Sequence, residues 1–128
     1  MALILCDTDV LIDALRGRGE VERFRDEYRR GRLATSSISV FELLSGAAAP
    51  EERRRVEDLL LPLERLPFDE ASARRAATAR IALESAGRSI GAADLQIAGI
   101  CLAREMPLWT RNRGHFERIE GLSLFPPD

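Results

Sequence analysis

The sequence contains no lysine, so all 19 basic side chains are arginines, set against 21 acidic side chains. Schiff-base catalysis needs a lysine amine, and a P-loop needs a lysine after its glycine, so both chemistries are excluded. The formal net charge of −2 gives no overall attraction for nucleic acid. Any binding of nucleic acid must therefore rely on a local group of arginines.

Histidine and the amide side chains are almost as scarce. His115, Asn112 and Gln96 are each the only residue of their type. A site with several histidine ligands is impossible, and a Ser-His-Asp triad would have to use His115. A bound metal would need oxygen ligands, which favours Mg²⁺ or Mn²⁺ over zinc or copper.

Cysteines and long apolar runs are also few. Cys6 and Cys101 lie in apolar segments, and we expect them to be small core residues rather than a disulfide framework. No apolar run approaches the ~18 residues of a membrane span, and the apolar start lacks the basic region of a signal peptide. We therefore expect a cytoplasmic protein with no membrane partner. A length of 128 residues predicts a single domain, residues 1–128.

Short apolar runs alternate along the chain with segments of helical periodicity. Strands are predicted at residues 2–6, 32–35, 64–67, 107–110 and 122–125. Helices are predicted at residues 8–16, 20–30, 36–46, 50–61, 69–85 and 92–104. This alternation predicts an α/β fold with a central parallel sheet of four to five short strands flanked by helices. Ligands of such sheets bind outside the carboxyl ends of the strands.

Three acidic side chains and one amide fall where such a site would form. Asp7 directly follows the first strand, and Asn112 follows the strand at 107–110. Asp94 lies in the first turn of a helix on its apolar face, and Glu42 is surrounded by apolar neighbours. Carboxylates held close together raise one another's pKa unless a cation neutralises them. A divalent metal is the usual solution, and two metals ~3.5–4 Å apart suit phosphodiester cleavage.

Each of these four residues also has a purely structural interpretation. Asp7 and Asp94 could be first-turn acids that the helix dipole stabilises. Glu42 could close a capping box with Ser39, three residues earlier. Asn112 could be a turn residue. Their joint placement at the predicted strand ends and helix starts favours a common site.

Some charged residues near these four positions are expected to have structural roles, and others are candidates for binding. Asp9 and Asp13 are better explained as helix-dipole acids or as solvent-facing charges. His115 is expected to lie exposed in a turn. Arg111 and Arg113 flank the lone asparagine and are candidates for phosphate contacts, because a guanidinium pairs with phosphate through two hydrogen bonds. The alternative is that both arginines are surface residues without partners.

Four segments resemble the motifs of PIN-domain ribonucleases. They are ILCDTDVLID at 4–13, SVFELLSG at 39–46, IGAADLQIA at 90–98 and WTRNRGHFERI at 109–119. The match runs in order over essentially the whole chain. At this compact length the chain looks most like the VapC-type toxins of prokaryotic type II toxin–antitoxin systems.

The resemblance implies a PIN-like three-layer sandwich and an endoribonuclease that cleaves RNA phosphodiester bonds. It implies Mg²⁺ as the cofactor, with Mn²⁺ as the alternative ion. It further implies a VapB-like antitoxin that inhibits the enzyme, and a homodimer as the assembled toxin.

Site residues follow from the resemblance position by position. Asp7 and Asp94 would be the main metal ligands, and Glu42 would complete the acidic catalytic pocket as a ligand or by orienting a water. Asn112 occupies the fourth catalytic position, where many family members have aspartate. An amide carries no negative charge there, which puts a strict two-metal mechanism in question.

Two threonines and two arginines complete the predicted site on the substrate side. Thr8 and Thr110 would hydrogen-bond the pocket carboxylates, in the manner of the family. Arg111 and Arg113 would contact the RNA phosphates.

Three other functions compete with the toxin ribonuclease. The segment Asp7-Thr8-Asp9-Val10 also resembles the first motif of haloacid-dehalogenase phosphatases, but that family usually needs a lysine. A PIN-like nuclease could instead act in RNA processing outside a toxin pair. A PIN-like module could also bind RNA or protein without catalysis, an alternative that Asn112 keeps open.

Overall fold

The computed structural model describes residues 2–127, which form five strands and seven helices. The strands are β1 Ile4–Cys6, β2 Leu33–Ser36, β3 Glu64–Leu66, β4 Leu108–Trp109 and β5 Leu124–Phe125. The helices are α1 Thr8–Arg16, α2 Val21–Arg29, α3 Ser37–Ser45, α4 Pro50–Leu60, α5 Glu70–Ser85, α6 Ala92–Arg104 and α7 Arg113–Phe116. The alternation of strands and helices confirms the predicted α/β class. Helix α7 was not predicted, because four residues are too few for a periodic pattern.

The five strands form one parallel sheet in the order β3-β2-β1-β4-β5. Strand β1 is central, and the chain adds β2 and β3 on one side of it before it returns to add β4 and β5 on the other. The strand order therefore reverses between β1 and β4. In open parallel sheets the loops diverge at such a point and leave a crevice at the carboxyl ends.

Helices cover both faces of the sheet and give the expected three-layer sandwich. Strand β1 is apolar at every position because both of its faces are buried. Leu5 packs into the cluster that includes α5 and α6, whereas Ile4 and Cys6 pack into the cluster that includes α1 to α4. Cys6 and Cys101 are buried and free, as predicted. No helix within residues 2–127 is long and apolar enough to cross a membrane.

Side-chain caps determine where the helices begin. Asp7 is the N-cap of α1, and Thr8 is the first helical residue. Helix α1 ends at Gly17, whose φ of 64° is left-handed and favours glycine. The α3 helix is capped by Ser36, which accepts a hydrogen bond from the Ser39 N–H at 3.0 Å.

Gly99 allows α5 and α6 to approach closely. A Cβ at this position would overlap the Ser72 carbonyl oxygen and would lie 2.9 Å from the Ala76 Cβ. Both neighbours belong to α5, so the two helices would have to separate to accommodate a larger residue.

We expect Gly99→Ala to lower the free energy of unfolding by about 1–3 kcal/mol, because overpacking outweighs the better helix propensity of alanine. Gly46→Ala is the matched control, since a Cβ there would meet only ordinary contacts at 3.7 Å and beyond. Urea unfolding measures both changes. Equal stability of the two variants would contradict the close approach of the helices.

Candidate active site

Asp7 lies at the carboxyl end of the central strand, beside the point where the strand order reverses. Its side chain is only 6% exposed. One carboxylate oxygen accepts the Thr8 N–H at 2.9 Å, and the other accepts the Thr110 hydroxyl at 2.8 Å. The same carboxylate thus caps α1 and links the end of β1 to the residue that follows β4. Its capping role and its place in the site are compatible.

Asp9 lies in the first turn of α1, as expected of a helix-dipole acid, and it also joins this cluster, which the sequence did not predict. Its carboxylate accepts the Arg111 N–H at 3.3 Å and lies 3.4 Å from the Thr110 hydroxyl oxygen. The Asn112 N–H donates to the same hydroxyl at 3.0 Å. The available signal in the sequence was the pair of acids two residues apart at a strand end.

Glu42 on α3 is connected to the start of α1 by a short hydrogen bond. The Thr8 hydroxyl donates to its Oε1 at 2.6 Å. The capping-box alternative for Glu42 is wrong, because the N-cap of α3 is Ser36 and the Ser39 N–H donates to the Ser36 hydroxyl oxygen. Both predicted threonine contacts are thus present, that of Thr8 with Glu42 and that of Thr110 with a carboxylate after β1.

Asp94 lies half-buried in the first turn of α6, next to the residues of α7. Its Oδ2 lies 3.9 Å from the His115 Nδ1, which is also 2.7 Å from the Asn112 Nδ2. His115 lies in a one-turn helix rather than a turn, but its side chain is 45% exposed, in keeping with the predicted exposure. Its ring lies beside the pocket, and the neighbouring Phe116 is fully buried.

The carboxylates of the cluster influence one another's ionisation. Burial, together with the negative charges of Asp9 and Asp94, raises the pKa of Asp7 to about 7 against the opposing hydrogen bonds from the Thr110 hydroxyl and the Thr8 N–H. Burial also raises the pKa of Asp9 and of Asp94. For Asp94, His115 opposes this rise while Glu42 and Asp9 add to it. The three predicted acids, Asp7, Glu42 and Asp94, and the added Asp9 are therefore close enough to share one electrostatic environment.

This donor set fits a hard divalent cation. All four carboxylates supply oxygen, and a positive ion would offset the burial that raises the pKa values of Asp7, Asp9 and Asp94 and the repulsion that adds to it for Asp7 and Asp94. Within the described residues, no three acidic, histidine or cysteine side chains converge closely enough to hold one ion by themselves. Mg²⁺ is commonly bound through only one or two carboxylates and keeps several waters, so the arrangement suits this ion.

The two arginines predicted to contact phosphate both have partners within the protein. The Arg111 Nε lies 3.1 Å from the Asp13 Oδ2, and the Arg18 Nε lies 3.3 Å from the other oxygen of Asp13. Asp13 is only 6% exposed, so its predicted solvent-facing position is wrong. Arg113 donates to the Phe125 carbonyl oxygen at 3.4 Å. The contacts of both arginines with phosphate stay a prediction.

Asp7→Asn should stabilise the metal-free protein at pH 8 and leave its stability almost unchanged at pH 4. In the unfolded chain Asp7 ionises near pH 4, but in the folded protein it ionises near pH 7. The folded state holds the proton more strongly, so the wild type loses stability as the pH rises through this window, by up to about 4 kcal/mol.

Thermal unfolding in EDTA at several pH values measures this effect. Asp26→Asn, at an exposed position on α2, controls for the loss of one negative charge. A stability difference between Asp7→Asn and wild type that is the same at pH 4 and pH 8 would contradict the assignment.

Comparisons with known proteins identify the family of this chain. The PIN domain family matches residues 4–122. The tRNA(fMet)-specific endonuclease VapC of Salmonella typhimurium is 32% identical, over 97% of this chain and 97% of that protein. Ribonuclease VapC1 of Methanocaldococcus jannaschii is 31% identical, over 94% of this chain and 84% of that protein.

Solved structures show the same likeness in three dimensions. The DNA-bound VapBC complex from Salmonella typhimurium contains a chain with a TM-score of 0.85 and 30% identity, covering 97% of both chains. VapBC2 from Rickettsia felis, bound to a DNA fragment from its promoter, gives a TM-score of 0.86 at 25% identity, covering 95% of this chain and 96% of that one. The phosphatase alternative is thereby rejected. The chain belongs to the PIN-domain family and, within it, to the VapC-type ribonucleases.

Proposed function

We propose that this protein is the toxin of a type II toxin–antitoxin system and acts as a Mg²⁺-dependent endoribonuclease. The observation that carries the proposal is the group of four carboxylates at the carboxyl edge of the sheet, where burial and like charge raise the pKa of Asp7 to about 7. Relatives from Salmonella typhimurium and Shigella flexneri are named tRNA(fMet)-specific endonucleases. We therefore propose a tRNA as the substrate.

Asp7 and Asp94 are the proposed metal ligands, and Glu42 completes the acidic pocket. Asp9 adds a fourth negative charge to the same environment. When bound, a divalent ion supplies Lewis-acid activation of the phosphodiester and lowers the pKa of a water. Mn²⁺ is the proposed alternative ion, because it accepts the same oxygen ligands.

The remaining residues of the site orient these carboxylates and meet the RNA. Thr110 and the Thr8 N–H fix both oxygens of Asp7, which sets the direction of its remaining lone pairs. Asn112 stands at the fourth catalytic position without adding charge. Arg111 would reach a phosphate by exchanging its ion pair with Asp13 for the RNA, and Arg113 is the second proposed phosphate contact.

The proposed partner is a VapB-like antitoxin. Four of the structural relatives are VapBC complexes from Salmonella typhimurium, Rickettsia felis, Haemophilus influenzae and Mycobacterium tuberculosis. We propose a homodimer of one-domain chains, residues 1–128, that acts on RNA in the cytoplasm.

Asp94→Asn should lower the rate of Mg²⁺-dependent tRNA cleavage by about 100-fold or more, because removing a charge-stabilising group commonly costs that much. The variant keeps the side chain's shape, so its thermal unfolding temperature should not fall. Asp58→Asn, exposed on α4, is the matched control and should cleave at the wild-type rate. The measurement is cleavage of tRNA(fMet) with Mg²⁺ and with EDTA. Cleavage by Asp94→Asn at the wild-type rate would reject the metal assignment.

Asn112→Asp should tighten Mn²⁺ binding by about 10-fold if the fourth position faces the ion, because the substitution adds a negatively charged oxygen ligand. A 10-fold change in affinity corresponds to about 1.4 kcal/mol of binding free energy. Gln96→Glu adds the same charge on α6, two residues from Asp94, and controls for a general electrostatic effect. Calorimetric titration with Mn²⁺ compares the two variants. Equal affinities for the two variants would place residue 112 outside the metal's surroundings.

A further inference from the structure

A chain of hydroxyl groups runs from the buried end of β2 to Glu42. Ser36 and Ser39 are fully buried, and their hydroxyl oxygens lie 3.4 Å apart. The Ser39 hydroxyl lies 2.8 Å from that of Thr8, which in turn lies 2.6 Å from the Glu42 Oε1. The sequence offered Ser39 only as a capping-box partner of Glu42, and Ser36 is the cap of α3.

The direction of these hydrogen bonds follows from counting protons. A hydroxyl has one proton to donate, and an ionised carboxylate can only accept. Thr8 uses its proton on Glu42, so Ser39 must donate to Thr8. Ser39 then has no proton left, so Ser36 must donate to Ser39. The Ser36 oxygen in turn accepts the Ser39 N–H at 3.0 Å.

We propose that Ser39 is a positioning residue that acts on Glu42 through Thr8. Because Ser39 donates to the Thr8 oxygen, Thr8 donates its own single proton to the Glu42 carboxylate. This fixes Oε1 of an otherwise exposed glutamate and leaves Oε2 for the reaction. The inference rests on the proposed function, since it gives Glu42 a part in the active site.

The geometry explains why a glutamate on α3 needs such support. Its side chain is long and exposed, so it loses rotamer freedom when it is held in one position. The hydrogen bond from Thr8 is of the short, charge-assisted kind. Thr8 directly follows Asp7, so the hydroxyl chain connects Glu42 to the end of β1, where Asp7 lies.

A double-mutant cycle between Ser39→Ala and Thr8→Val tests this inference. Ser39→Ala should lower kcat for tRNA(fMet) cleavage by about 3- to 10-fold with KM almost unchanged, as expected when a hydrogen bond that orients a catalytic group is weakened. In the Thr8→Val background the same substitution should have no further effect, because the route to Glu42 is already broken. In the Thr8→Ser background, which keeps the hydroxyl, the effect of Ser39→Ala should persist.

Ser37→Ala is the matched control on α3, since Ser37 is exposed and accepts only the Phe68 N–H, at 3.3 Å. It should leave kcat unchanged. All rates are taken well below the unfolding temperature of each variant, so that lost stability does not enter. Mn²⁺ affinity, measured by calorimetry on the same proteins, gives a second cycle independent of turnover.

Equal factors for Ser39→Ala in the wild-type and Thr8→Val backgrounds would overturn the inference, as would a change in KM alone. Glu42→Ala separates this failure from that of the proposed function. A wild-type rate for Glu42→Ala would remove the glutamate from the active site altogether. A strongly impaired Glu42→Ala with an additive cycle would reject only the positioning role of Ser39.

Discussion

The site depends first on the two hydrogen bonds of the Asp7 carboxylate. One bond caps α1 directly after the central strand, and the other accepts the hydroxyl of Thr110, which is 103 residues away in the sequence. The second bond connects the ends of β1 and β4, the two strands between which the strand order reverses. The neighbouring residues Asp9, Arg111 and Asn112 are then held by N–H and hydroxyl groups of the same two chain segments. The fold therefore defines the position of the first carboxylate before any ligand arrives.

How far the sequence predicts this arrangement depends on the range of the interactions involved. Apolar strands and capped helices are local patterns, so the α/β class, the parallel sheet and Asp7 at a strand end could all be predicted. The contacts of Asp9 and the burial of Asp13 could not be predicted, because the partners of these acids lie about 100 residues away or in the following loop. A carboxylate in a first helical turn looks the same whether it faces solvent or a distant threonine.

His115 shows the same limit at shorter range. A segment of arginine, glycine and histidine predicts a turn, since nothing in its own composition favours a helix. The segment instead forms one helical turn, in which Phe116 is buried and the imidazole lies beside Asp94 and Asn112. Packing of this kind cannot be read from local propensities.

The chain has no lysine, and neutral hydrogen-bond donors orient the central acids instead. Asp7 and Glu42 are oriented by hydroxyl and N–H donors, which align a carboxylate without cancelling its charge. A lysine in place of these neutral donors would lower the pKa of the acids and occupy the position of an incoming cation. Arg111 directs its guanidinium to Asp13 and donates its backbone N–H to Asp9, whose pKa its charge also lowers in part. Neutral donors thus fix the geometry of the pocket and leave its negative charge available to a divalent ion.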